Sequence, residues 1–349
     1  MKTSKAMLMM KSVLKGINSP FLLGGTGIGK SAIVRSLAED IADGRKLVED
    51  EINPKENEFG FMDFRLSLYE SHDLSGLPFI EKGKQVRAML GNLPESGEGI
   101  LFLDEYAQCS QNLQAICGQL IGKDKKIGEY KLPKGWQIVL AGNRATDRAG
   151  SFKLPSHVVG RCTMIDFEHS TDDWLAWASK NDICSDILGF ISFQPELLND
   201  FDPKITTPQP SPRSWARLSD TLKIDPPKEV LQLIVQGDIG ERASIEFMSF
   251  LSLKNDVPNL QDICEGGDVE VVDSGGLMYA TVCALVSVIK EASDSNLHDY
   301  FANALDYIEK FPTPEFGIFF VRSLVGARSD IVDSSRYGEF KIKNQDLEV

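Results

Sequence analysis

The stretch Gly24-Gly25-Thr26-Gly27-Ile28-Gly29-Lys30-Ser31 (GGTGIGKS) decides how this chain is read. It follows a short apolar run, Pro20 to Leu23, which reads as a strand. It leads into Ser31 to Ala42, which reads as a helix stopped by Asp43-Gly44. Glycines there let the backbone turn tightly and aim successive N–H groups inward, and with the helix N-terminus those groups make a concave anion site. In that setting Lys30 would neutralise the β- and γ-phosphates of a nucleotide, and the Ser31 hydroxyl would hold Mg²⁺. Gly25, Thr26, Gly27, Ile28, Gly29, Lys30, Ser31 and Ala32 are the expected nucleotide-binding residues. ATP and Mg²⁺ are the expected cofactors.

Outward from this loop, the first half of the chain alternates strands and helices. Lys2 to Leu14 has helical spacing. Phe59 to Leu68 alternates as a strand, Gly99 to Leu103 is a continuous apolar run typical of a strand covered on both faces, Trp136 to Ala141 is a further apolar strand and Thr163 to Phe167 reads as a fifth. Leu113 to Ile121 is helical in period. The pattern predicts an α/β fold, a parallel sheet with helical layers, over residues 1–168. After Phe167 the texture becomes helical, punctuated by Pro195, Pro203, Pro208, Pro210 and Pro212. Residues 169–255 are expected to form a helical lid, with Glu229 to Leu253 as two helices joined at Gly237-Asp238. Residues 256–349 read as a helical extension, with helices over Gly276 to Lys290 and Leu297 to Phe311 and a loosely ordered tail from Arg336. Trp174 and Trp177, three apart, are expected to share a core-facing stripe.

Two carboxylates close the strand Ile100-Leu101-Phe102-Leu103-Asp104-Glu105. Strand C-terminal ends of an open parallel sheet face the ligand crevice, so both acids should meet bound phosphates. Asp104 suits Mg²⁺ coordination, and Glu105 is placed to polarise an attacking water. Adjacent acids favour hydrolysis over transfer to an acceptor. Trp136 to Ala141 ends in Gly142-Asn143-Arg144, where Asn143 could hold that water from the other side. Arg144, Arg148, Arg161 and Arg213 follow as cations able to meet developing negative charge.

Composition bounds the partners. The 349 residues contain 37 Lys and Arg against 51 Asp and Glu, a net charge of −14, which opposes a general nucleic-acid coat or an acidic-membrane binder. The six cysteines form no CxxC pair, and the four histidines no metal constellation, so buried thiols of a reducing compartment are expected. The apolar run Ala6 to Met10 is cut by Lys11 and Lys15, too short for a signal core, and no stretch approaches the roughly 20 apolar residues of a membrane span. A cytoplasmic protein without membrane partners is the expectation.

The order of motifs resembles the AAA+ ATPases: Walker A at Gly24 to Ser31, Walker B at Ile100 to Glu105, an Asn-ended strand at Asn143 and SPRS at Ser211 to Ser214. Within that group the RLS…DLSGLP stretch (Arg65 to Pro78), the segment AGNRATDRAGSFKLPSHVVGR (Ala141 to Arg161) and the SPR triplet most resemble the MoxR family, over roughly residues 15 to 250. The resemblance implies that Asn143 is sensor 1, Arg213 sensor 2 and Arg161 the arginine finger acting in a neighbouring subunit. Gly-Arg-Cys stands here where MoxR proteins usually carry Asp-Arg-Phe, and Arg148, in a TDR triplet similar to McrB-type ATPases, is the reserve finger. It further implies a ring, a hexamer by family habit, that remodels or matures a protein partner, often one with a von Willebrand factor A domain. The rival expectation is a nucleotide-gated scaffold or DNA-associated loader that hydrolyses little, with lysines near Lys82 and Lys123 to Lys126 lining a pore. Leu77 to Ala88, around Lys82-Gly83-Lys84, and Lys126 to Pro133 both read as hairpins.

Overall fold

The structure is a computed structural model that describes residues 3–88, 91, 93–144, 152 and 154–344. The chain divides into two compact units, Met1–Ser170 and Thr171–Val349.

The first unit contains, in chain order, α1 (Thr3–Leu14), β1 (Ser19–Leu23), α2 (Lys30–Ala42), β2 (Lys46–Glu49), β3 (Glu58–Arg65), α3 (Ser71–Ser75), β4 (Leu77–Glu81), β5 (Lys84–Ala88), β6 (Glu98–Asp104), α4 (Gln111–Leu120), β7 (Lys126–Ile127), β8 (Tyr130–Lys131), β9 (Gly135–Gly142), α5 (Ser156–Val159) and β10 (Cys162–Asp166). Six strands form one parallel sheet in the order β10-β1-β9-β6-β3-β2. The apolar runs are continuous because both faces of the sheet are covered. Side-chain alternation sends Ile100, Phe102, Val139 and Ala141 into one core with α1 and α2, and Leu101, Leu103, Ile138 and Leu140 into another with α4. β4–β5 and β7–β8 are the two expected hairpins, and Lys82 and Gly83 both have positive φ, as a two-residue hairpin turn requires.

The second unit is helical: α6 (Thr171–Lys180), α7 (Ser185–Phe193), α8 (Pro212–Leu222), α9 (Lys228–Ile239), α10 (Glu241–Ser252), α11 (Leu260–Cys264), α12 (Gly275–Lys290), α13 (Asp294–Ile308), α14 (Glu315–Ala327) and α15 (Ser335–Lys343). One core gathers Phe190, Trp215, Phe247 and Phe250, and a second gathers Val282, Leu285, Phe301 and Phe320. α12 is largely apolar and serves both, giving Ala280 to the first core and Val282 to the second.

Three expectations are corrected. The α9–α10 junction is Gly240, whose φ of 82° breaks the helix, while Gly237 is accommodated inside α9. The tail is ordered as α15 as far as Lys343, because Tyr337 and Phe340 are buried and Arg336 pairs with Asp306. Trp174 is buried, but Trp177 is 37% exposed. All six cysteines are free thiols. No described helix is long and apolar enough to cross a membrane.

Candidate nucleotide site

β1 delivers the glycine-rich loop. Gly24 N–H donates to Gly142 O, and a Cβ at Gly24 would lie 2.6 Å from Phe167 O, so only glycine allows this approach. Gly27 (φ 76°) and Gly29 (φ 93°) take left-handed conformations that turn the loop into α2. No side chain caps α2, so the first N–H groups of this 13-residue helix are not claimed by a cap.

The sheet order explains what meets the loop. β9 lies between β1 and β6, so its end reaches the loop on one side and the acidic turn on the other. Lys30, buried, donates to Gly24 O (2.9 Å), Gly25 O (2.7 Å) and Asn143 Oδ1 (2.8 Å). Asn143 Nδ2 donates to Thr26 Oγ1 at 3.1 Å, and its own N–H donates to Gln108 Oε1 at 3.3 Å. Ser31 Oγ donates to Asp104 Oδ2 at 2.7 Å. Lys30 and Ser31, Asp104, and Asn143, from three separate stretches of sequence, therefore form one cluster at the C-terminal edge of the sheet.

Glu105 follows Asp104 with φ 56°, and its N–H donates to Asp104 Oδ1 at 2.8 Å. This left-handed residue starts a turn that is pinned below: Tyr106 N–H donates to Ala141 O at 2.9 Å, and the buried Tyr106 hydroxyl donates to Gln114 O at 2.6 Å. Burial, with nearby Cys117, Cys109 and Cys162, pushes that phenol far up, so it stays protonated. The Glu105 carboxylate accepts a hydrogen bond from Ser67 Oγ. Ser67 sits in a 3₁₀ turn (Leu66–Leu68) after β3, where the expected strand to Leu68 stops at Arg65. β3 pairs with β6, with Arg65 opposite Asp104. Only that register brings Ser67, a polar residue just past the end of β3, to the acidic end of β6, and the sequence carries no local signal of it.

The oxygen donors fit a magnesium ion. Mg²⁺ keeps several waters and takes one or two protein oxygens together with phosphate oxygens, which matches the Ser31 hydroxyl and Asp104 carboxylate. Asp63 on β3 adds a carboxyl: burial, then the Asp104 carboxylate, raise its pKa against the opposing pull of Arg65, which stands 3.6 Å from Asp63 Oδ2, and its Oδ1 is buried without a hydrogen-bond partner. A divalent cation would relieve that crowding.

The arginines lie elsewhere. Arg161 immediately precedes β10, whose Cys162 pairs with Ser19, so it stands at the N-terminal edge of the sheet, opposite its own Lys30. Its Nη1 donates to Gly118 O of α4 at 2.7 Å, and it borders a groove of about 700 Å³ with Lys123 and Lys126. Arg213 is exposed in the first turn of α8. SPRS is a helix start: Ser211 and Ser214 cap each other's backbone, with Pro212 in the first turn. Arg148 lies outside the described residues. Arg144 is bound to Asp166 and to Phe167 O.

No family model matches the chain, and no curated protein matches it. Among solved structures it is similar to NtrX from Brucella abortus in complex with ADP, at 12% identity over 99% of this chain and 68% of that one, with a TM-score of 0.40. It is also similar to RuvB of Thermotoga maritima, described as a Holliday junction branch migration motor, at 14% identity over 81% of this chain and 80% of that one, with a TM-score of 0.32. A point mutant of that RuvB gives 14% identity, 77% of each chain and a TM-score of 0.33.

Proposed function

We propose that the chain is a Mg²⁺-dependent ATPase of the AAA+ type, of MoxR character, working as a ring of six subunits that remodels or matures a protein partner. The observation that carries this reading is the cluster joining Lys30 to Asn143 and Ser31 to Asp104 at the end of a parallel sheet.

Ser31 and Asp104 would hold the metal, which when bound offsets charge on the phosphate oxygens. Lys30 exchanges its two loop carbonyls and Asn143 for the β- and γ-phosphates. That exchange parts Lys30 from the Asn143 amide oxygen, which would then orient a water. Glu105 accepts that water's proton, and Ser67, its partner in the present arrangement, sets when the carboxylate is available. Arg161 from a neighbouring copy, and Arg213 from the helical unit, complete the charge clamp. A site completed by the opposite edge of a second copy is a head-to-tail contact, the kind that closes into rings. A protein partner with a von Willebrand factor A domain follows from the MoxR resemblance alone.

ATP binding and turnover of the native chain, Lys30→Ala and Glu105→Gln test the reading. Glu105→Gln should keep ATP affinity and lose turnover by on the order of 10²- to 10⁴-fold. Lys30→Ala should lose affinity about 10-fold or more, as expected for removing a charged hydrogen-bonding group. No affinity of the native chain for ATP with Mg²⁺ removes the nucleotide site. Binding without turnover leaves the nucleotide-gated scaffold.

A further inference from the structure

The helical unit contains a cavity of about 430 Å³ where α6, α7, α8, α12 and α14 converge. That volume suits a small molecule. Leu188 and Val286 give it an apolar wall, both nearly fully buried. Hydroxyls interrupt that wall. Ser185 and Ser287 lie 3.3 Å apart, and Ser323, 5% exposed, has a hydroxyl with no hydrogen-bond partner. A buried hydroxyl left unpaired is costly, and native proteins rarely keep one without use.

Two ammonium groups stand at the rim. Lys223, the C-cap of α8, and Lys290, the last residue of α12, hold opposite oxygens of the Asp182 carboxylate at 3.2 and 3.1 Å. Hydrogen bonds from Lys290 and Lys223 keep that carboxyl below its usual range. Asp182 itself occupies a left-handed turn position (φ 53°), and its side chain is 68% exposed. Of the other acids, Asp220 reaches only Lys223, at 3.6 Å, and Glu291 lies on the wall. Exposed ion pairs contribute little to stability, so a folding role accounts poorly for one carboxylate set between two lysines at a cavity mouth. A phosphate dianion matches both ammonium charges where Asp182 matches one.

We propose that this cavity is an effector site for a small phosphomonoester, whose phosphate replaces Asp182 between Lys223 and Lys290 while Ser185, Ser287 and Ser323 take its polar body. The site has a route to the nucleotide chemistry, a part of the inference that rests on the ATPase reading. α8 carries Lys223 at its end and Arg213 in its first turn. The Trp215 indole N–H fixes that helix to Leu197 O at 2.8 Å. A ligand that holds Lys223 against α12 therefore fixes the pose of the helix that carries Arg213.

Calorimetric titration of the full chain carrying Lys30→Ala, which disables the phosphate loop, tests the binding. Glycerol 3-phosphate, inorganic phosphate and glycerol are the probes. Glycerol 3-phosphate should bind, about 10-fold more weakly after Lys223→Gln or Lys290→Gln, as for the loss of a charged hydrogen bond. Asp182→Asn, which removes the internal competitor, should tighten it. Ser323→Ala should weaken the ester but not inorganic phosphate. Absence of binding at about 10 mM ester, a concentration beyond useful affinity, overturns the site. So does binding that neither lysine substitution alters, and equal affinity for inorganic phosphate overturns the ester assignment. In the chain with Lys30 intact, glycerol 3-phosphate should change ATP turnover at least about 2-fold, and Lys223→Gln should abolish the change. Binding with unchanged turnover overturns the effector role. Binding by a chain with no ATPase activity supports the cavity and counts only against the catalytic reading.

Discussion

Ser67 and Asp63 flank the acidic end of β6, and their effects on it are opposite. Ser67 holds Glu105 by one hydrogen bond, and a net hydrogen bond is worth about 0.5–1.5 kcal/mol. Ser67→Ala should therefore release the carboxylate and raise basal ATP turnover by roughly 2- to 10-fold at unchanged ATP affinity, readable in steady-state kinetics. Lower turnover would mean that Ser67 orients Glu105 productively. Asp63 is a carboxylate whose folded pKa is raised by burial and by Asp104, which outweigh the lowering by the exposed Arg65. Below its unfolded pKa of about 3.9 it is neutral in both states and costs nothing; as pH rises through the folded value the native state loses stability. Asp63→Asn should thus melt a few degrees above the native chain at pH 7 without Mg²⁺, with the gap closing as pH falls toward about 4. Melting curves across pH without and with Mg²⁺ check this, and the gap should also shrink when Mg²⁺ is added. Lys30, Ser31, Asp104 and Asn143 were legible because each sits at a fixed offset from an apolar run. Ser67 and Asp63 were hidden, since their roles depend on the pairing of β3 with β6, a long-range fact.

At the level of elements, the sheet is locked by one residue whose size the sequence shows but whose seat it conceals. Trp136 is the second residue of β9, and its ring crosses β6 and β3, where Gly99 and Gly60 stand in register with it. A Cβ at Gly60 would lie 2.4 Å from that ring and one at Gly99 2.8 Å, while the indole N–H donates to Ser96 O at 2.8 Å. Gly60→Ala must displace a packed aromatic, so a loss of about 1–3 kcal/mol is expected in denaturant unfolding, with the slope unchanged. Trp136→Phe also loses stability, because the Ser96 carbonyl goes unpaired and the indole leaves unfilled space. The other elements divide by how local their cause is. The central strands announce themselves as apolar runs, and the β4–β5 hairpin by its Lys82-Gly83 turn. β2 does not: Lys46-Leu47-Val48-Glu49 is a four-residue edge strand, half-exposed, too short for alternation to register. α15 depends on the burial of Tyr337 and Phe340 in a core assembled from α12 to α14, which no window of sequence contains.

For the whole molecule, the decisive geometry is that Arg161 and Lys30 occupy opposite edges of one sheet. β1 has five residues, a rise of roughly 13 Å, with Ser19 beside Cys162 at one end and the phosphate loop beyond the other. Arg161 is held to α4 through Gly118 O and borders the groove that contains Lys123 and Lys126, a basic patch on a chain of net charge −14. An arginine so anchored could not reach a nucleotide at its own glycine-rich loop without dismantling its strand; on the proposed reading, a neighbouring copy that presents the end of its sheet to this groove could be served without any such change. Arg161→Ala and Glu105→Gln should therefore each abolish turnover, yet restore part of it when mixed. In a mixed ring the Arg161→Ala subunit keeps its own Glu105 and borrows Arg161 from a Glu105→Gln neighbour. Equal mixing would create such pairs at on the order of a quarter of the interfaces, with ATP turnover rising toward that fraction of native if sites act independently. Glu105→Gln mixed with Lys30→Ala provides the control, because both lesions lie at the same edge and no interface is made whole. Restoration by that control as well would show that mixing revives turnover without a borrowed arginine and would overturn the trans role. Equal failure of both mixtures, under conditions where size-exclusion chromatography shows mixed rings, would likewise overturn the trans role.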